Sequence, residues 1–187
     1  MASPGDLNPH LVNPFVRAAV SFQANHLDVP GSISAMSTNG AAFSGSLRTE
    51  SFTTKLVKAF RHRAPSGVSV RIVNIGGLPL LNEDLEKNLP QPVRDLHECI
   101  ERADAILLAT PEYNRSYSPV LKNALDWGSR PEGQNKWKNK PTAVVGCTPY
   151  MLGAFGAQNH LRQVLTYLDM PTLQQPEFYL GKVAEKF

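Results

Sequence analysis

The feature that most constrains this chain is a repeated change of period. From Ala41 onward, short apolar runs alternate with stretches whose apolar residues recur at helical spacing. Ala41-Ala42-Phe43 reads as a first strand, and Phe52, Leu56, Val57 and Phe60 then mark one face of a helix. Val68 to Ile75 reads as strand two, broken by Gly76-Gly77-Leu78-Pro79. Pro92 opens a helix that carries Val93, Leu96 and Ile100. Ala105 to Ala109 is an unbroken apolar run, as expected of a strand buried on both faces of a parallel sheet. Val120, Leu121, Ala124 and Leu125 give the next helix its apolar side, Thr142 to Gly146 is strand four, and Ala157, Leu161, Val164, Leu165 and Leu168 pattern another helix. Thr172 to Leu180 holds a broken fifth strand.

Strand-helix repetition with short connections implies parallel crossovers and a three-layer sandwich. The expected fold is α/β, an open parallel sheet of five strands with helices on both faces; the strand order is 2-1-3-4-5 if the sheet is flavodoxin-like. Only Gly-Lys-Val-Ala-Glu-Lys-Phe follows Leu180, so the closing helix is expected to be missing.

Residues 1–39 differ in kind: rich in Ser, Pro, Asn and Ala, without a sustained period, and with Arg17 as their only Lys or Arg. They lack the basic start and apolar centre of a secretory signal. They read as a poorly ordered extension ahead of a domain spanning 40–187, and Met36 reads as an alternative start of that domain.

With 42% apolar and 19% charged residues the chain has a globular composition, and no apolar run approaches the ~20 residues of a membrane helix. The net charge of +3 is scattered, and its densest cluster, Arg61-His62-Arg63, has no aromatic interleaving. That speaks against nucleic acid and suits a small phosphorylated ligand. Cys99 and Cys147 show no metal spacing, which points to free thiols in a reducing, cytoplasmic compartment and to no bound metal.

Two loops carry the chemistry. GSLRTESF, Gly45 to Phe52, places a Gly-Ser turn, several hydroxyls and Arg48 at a helix start. Glycine lets the backbone approach closely, free amides point at an anion, and Arg adds charge-assisted bonds. An ordinary N-cap explains Thr49 or Ser51 equally well. Gly40 to Ser46 has the spacing of a P-loop, but Ser46 and Leu47 stand where a Lys and its hydroxyl neighbour belong, and neither GxGxxG, GxSxG nor HExxH occurs. The second loop, Thr110-Pro111-Glu112-Tyr113-Asn114, ends the third strand. In a 2-1-3-4-5 sheet strands one and three are neighbours at the switch point, so both loops border one crevice, one suited to a phosphate and the other to a flat ring.

SGSLRTESF followed by TPEYNRSYSPVLKNALDWGSRP resembles the NADPH-dependent FMN reductase family, the flavodoxin-like group of chromate, quinone and azo-dye reductases, over about Ala41 to Gly181. The resemblance implies non-covalent FMN, with NADPH or NADH as hydride donor and a quinone, chromate, azo dye or similar small molecule as acceptor. It also implies a homodimer or homotetramer with the flavin near the subunit interface. By motif, Ser46, Arg48, Ser51, Phe52 and Thr53 surround the FMN phosphate, with Thr53 standing where Asn is frequent. Pro111, Glu112, Tyr113 and Asn114 line the isoalloxazine, and Asp126 and Trp127 cap or pack. The loop after strand four is usually Gly- and Ser-rich and closes over the flavin; here Thr148-Pro149-Tyr150-Met151-Leu152 is bulkier, which points to Tyr150 or Met151 narrowing access at the flavin edge. No side chain is needed as acid or base, because the flavin carries the chemistry. The exposed loop around Trp137 and the helix after PEYN are candidate interfaces, and a loose surface loop explains Trp137 equally well. A non-catalytic or truncated FMN-binding scaffold is one competing reading, and an electron-carrier flavodoxin is another. The missing Thr-Gly-Asn-Thr type of loop and the absence of strong acidity count against the second.

Overall fold

A computed structural model of the chain describes residues 7–26 and 38–187. Its elements are α1 (Pro9–His26), β1 (Thr38–Ser44), α2 (Phe52–His62), β2 (Val68–Val73), α3 (Gln91–Arg102), β3 (Ala105–Thr110), α4 (Pro119–Gly128), β4 (Thr142–Cys147), α5 (Phe155–Tyr167) and β5 (Tyr179–Leu180). Two 3-10 turns, Glu83–Asn88 and Val183–Glu185, complete them. The five strands form one parallel sheet in the order β2-β1-β3-β4-β5, the order expected of a flavodoxin-like sheet.

That order decides where the helices lie. The β1-to-β2 crossover runs one way across the sheet and the next three run the other way. With right-handed crossovers, α2 falls on one face and α3, α4 and α5 on the opposite face. The cores agree with this, because side chains alternate across each strand. Phe43, Ile106, Leu108 and Val144 pack with α3, α4 and α5, whereas Ala42, Ala109, Val145 and Cys147 pack with α2.

Crossovers place a single helix, α2, on that second face. Much of the remaining cover comes from α1, with Phe178 and Val183 of the C-terminal segment beside it. Val12, Phe15 and Val16 of α1 belong to the same core as Leu56, Val57, Phe60, Phe178 and Val183. Phe15, Phe60 and Phe178 meet edge-to-face with centroids 5.3–5.6 Å apart, and Arg63 at the end of α2 donates to the Leu7 carbonyl at 3.1 Å. The fit is incomplete: a small apolar cavity of about 90 Å³ remains between α1 and the sheet, lined by Val16, Ala19, Val20, Gly40 and Leu107 among others.

The 1–39 segment therefore departs from the expected extension where it is described: 9–26 are helical and packed, and β1 starts at Thr38. Positions 1–6 and 27–37, including Met36, lie outside the described residues. Trp137 also departs from expectation. Its ring is fully buried, edge-to-face with Phe43 at 5.5 Å, and its indole N–H donates to the Leu125 carbonyl at 2.9 Å. Gly128, at the end of α4, makes room for it: the indole lies directly on the glycine Cα, where any side chain would collide. Trp127 and Asp126 have the structural roles expected of them. Trp127 is buried and donates to the Pro79 carbonyl at 2.8 Å, and Asp126 pairs with Lys122 at 2.7 Å.

Candidate active site

The carboxyl ends of β1 and β3 meet at Gly45. Its amide donates to the Ala109 carbonyl at 2.8 Å, and a Cβ there would sit 2.6 Å from Ser118 Oγ and 3.2 Å from that same carbonyl oxygen. Only a glycine lets the first loop run this close to the loop after β3. Ser46 to Arg48 then lead into α2, whose cap is Ser51: its buried hydroxyl accepts from the Thr54 amide at 3.1 Å. Ser51 thus holds the helix start by its side chain, the N-cap role weighed from sequence. Arg48 is exposed and lies over the Phe52 ring at 5.3 Å, with Lys55 at 5.7 Å from the same ring.

Thr53 departs from its expected placement. Its side chain is buried against Cys147, whose thiol donates to Thr53 Oγ1 at 3.9 Å, so only its backbone amide remains to face the crevice. Burial pushes the Cys147 thiol up to about 11. The first-turn amides of Phe52 and Thr53 are of the kind that helix geometry leaves without an intrahelical partner, and the α2 dipole adds partial positive charge beside Arg48 and Lys55. Neither Lys55 nor the Ser44–Thr54 hydroxyl bond, 2.9 Å, was singled out by motif. Lys55 lies on α2 at the spacing that returns it to the first loop, where Glu50 meets it at 3.0 Å.

After β3, Thr110 Oγ1 donates to the Pro111 carbonyl at 2.7 Å and the chain enters a tight hairpin. Tyr113 and Ser116 exchange both backbone bonds, at 2.9 and 3.0 Å, around Asn114 (φ 51°) and Arg115 (φ 69°). Two successive left-handed residues make this a type I′ turn. Tyr113 and Asn114 are exposed at its tip and Pro111 is half-buried. The Glu112 carboxylate does not share that direction: Oε2 accepts from the Ala157 amide of α5 at 3.2 Å.

The loop after β4 is held on its β5 side. Thr148 Oγ1 donates to the Tyr150 carbonyl at 3.0 Å, which also accepts from the Lys182 amide at 2.9 Å, and the Val183 amide donates to the Thr148 carbonyl at 3.1 Å. Thr148 is buried, Pro149 is exposed, and the Tyr150 and Met151 side chains are 80% and 79% exposed, so both project into solvent. A separate cleft of about 1000 Å³ lies below the hairpin on the α4–α5 side, lined by Lys122, Arg130, His160, Gln163 and Tyr167 among others.

The donors fit FMN: amides and Arg48 at a helix start for a phosphate, brought by the close approach at Gly45 beside a hairpin that exposes Tyr113 and Asn114 for a ring. Residues 38–185 match the family model described as NADPH-dependent FMN reductase. A quinone reductase of Pseudomonas putida is 51% identical over 144 residues, covering 76% of this chain and 77% of its own. A 2-hydroxy-1,4-benzoquinone reductase of Burkholderia sp is 48% identical over 73% of this chain and 74% of its own, and an Arabidopsis thaliana NADPH:quinone oxidoreductase 44% over 75% and 73%. Among solved structures, the flavoenzyme NAD(P)H:(acceptor) oxidoreductase FerB from Paracoccus denitrificans superposes with a TM-score of 0.74 at 42% identity, over 76% of this chain and 79% of that one. The chain belongs to the NADPH-dependent FMN reductase family.

Proposed function

We propose that this protein is an NAD(P)H-dependent FMN oxidoreductase whose acceptor is a quinone. The observation that carries the reading is the meeting of the α2 start and the Tyr113–Ser116 hairpin at Gly45, at the β1/β3 switch point. When bound there, FMN supplies the hydride chemistry, taking a hydride from the nicotinamide and passing reducing equivalents to the acceptor.

The chain's own residues orient and bind. Ser46, Arg48 and the first-turn amides of Phe52 and Thr53 hold the phosphate end, with the Ser51 cap fixing that helix start and Lys55 adding charge nearby. Pro111, Tyr113, Asn114 and the Glu112 backbone run along the ring, and Thr148 and Pro149 close its far side. Tyr150 stands at the solvent rim, where an arriving acceptor passes it. Because FMN would supply the hydride chemistry, no ionisable side chain would have to act as acid or base. The names of the relatives support a quinone over chromate or an azo dye. A homodimer or homotetramer in the cytoplasm fits this chemistry.

The test is a visible spectrum of the purified protein, as isolated and after FMN is added and the excess removed. Anaerobic NADPH and then a benzoquinone follow. A bound-flavin spectrum that bleaches with NADPH and returns with quinone is expected. A protein that binds FMN but is not bleached loses the oxidoreductase reading, and one that takes up no FMN loses the site.

A further inference from the structure

α5 begins without a side-chain cap of its own. Its N-cap residue, Ala154, is in the left-handed region (φ 68°, ψ 34°) and offers no acceptor to the first-turn amides. The acceptor comes from another loop: the Glu112 carboxylate, 11% exposed, takes the Ala157 amide. A carboxylate at a helix N-terminus both pairs an orphan donor and meets the positive end of the dipole.

The hairpin needs that support. Asn114 and Arg115 both sit at positive φ, a conformation that Asn accepts readily and Arg disfavours. Two further contacts seat the hairpin on α5, and an ion pair within the hairpin holds the Glu112 carboxylate. A Cβ at Gly156 would stand 3.2 Å from the Arg115 carbonyl and 3.3 Å from Glu112 Oε2, so the bare glycine allows the close approach. Ser116 Oγ and His160 Nδ1 are 3.2 Å apart, and Arg115 lies 3.6 Å from Glu112 Oε1.

We propose that Glu112 is a positioning residue, a clamp that fixes the ring-facing hairpin to the start of α5 and so holds the loops after β3 and β4 as one unit. It acts on the flavin through the backbone of Tyr113 and Asn114, not by its own contact. The inference rests on the FMN reading of the crevice.

The experiment compares wild type, Glu112→Gln and Glu112→Ala, with FMN affinity from quenching of flavin fluorescence and hydrogen exchange at the Ala157 amide of the flavin-free chain. An amide oxygen at 112 can still accept from Ala157, so Glu112→Gln is expected to stay close to wild type in both. Glu112→Ala is expected to lose about fivefold to tenfold in Ala157 protection, the scale of a lost cap, and a similar factor in FMN affinity. Faster exchange with wild-type FMN affinity would reduce the contact to a structural cap and overturn the proposal. A loss in Glu112→Gln as deep as in Glu112→Ala would overturn it too, because the bond is kept and only the charge removed. Were the wild-type chain to take up no FMN, the FMN reading would fall, and unchanged exchange in Glu112→Ala would independently show that no clamp exists.

Discussion

The two faces of the sheet are covered by different means. On one, the crossovers that build the parallel sheet deliver α3, α4 and α5, and their core includes the buried rings of Phe43, Trp127 and Trp137. On the other they deliver only α2, and much of the remaining cover is α1, which precedes the first strand and leaves a cavity beneath it. Topology guarantees the first cover. The second depends on a segment that the sheet's own connectivity does not require, so it should yield first.

The largest effect expected is on the three-helix face. Trp137→Ala removes a fully buried ring and orphans the Leu125 carbonyl, and urea unfolding should show a loss of about 3–5 kcal/mol. Phe15→Ala, within the aromatic triad of the other face, should cost less than its size implies, about 2 kcal/mol or below. The reason is that α1 can open locally before the sheet does, which caps the penalty at its docking energy. Native-state hydrogen exchange should show α1 amides exchanging well ahead of those of α4. A cost for Phe15→Ala equal to that for Trp137→Ala would erase the distinction between the faces. Ala19→Leu, directed at the cavity, should raise stability by about 0.5–2 kcal/mol, and no gain would mean that α1 does not rest where it is drawn.

The smallest effect concerns the two thiols, one in each core. Burial raises both, Cys147 to about 11. A thiol whose folded value lies above its unfolded value holds its full contribution below about pH 8.5 and loses it as the unfolded chain ionises first. Stability should therefore decline from about pH 8.5 toward 11, less steeply in Cys147→Ala. At pH 8, alkylation of native protein should be slow at both thiols and slower at Cys147.

Much of this was legible in the sequence. The alternation of strands and helices followed from the periods, because in a parallel sheet buried on both sides the apolar runs and the turn residues are set by the same constraint; strand order and crevice came only with the flavodoxin-like order. What was missed depended on distant neighbours. Val12, Phe15, Val16 and Ala19 do have helical spacing, but the stretch is short, interrupted by Pro14 and set among Ser and Asn. Trp137 sits in a run of Lys and Asn that reads as surface, and only the absent side chain at Gly128 explains its burial. The motif located Glu112 in the right loop but could not aim its carboxylate, which answers to an amide 45 residues away.

Because α1 is joined to β1 only through 27–37, its seat on the sheet is in effect an intramolecular ligand site. A covalent link of that length holds its ligand at an effective concentration on the order of millimolar. A cut within 27–37 would turn the same contact into a bimolecular one, diluting α1 away at micromolar protein. A synthetic peptide spanning 7–26 would then bind the remainder in trans, so that cover of one sheet face becomes a quantity set by concentration.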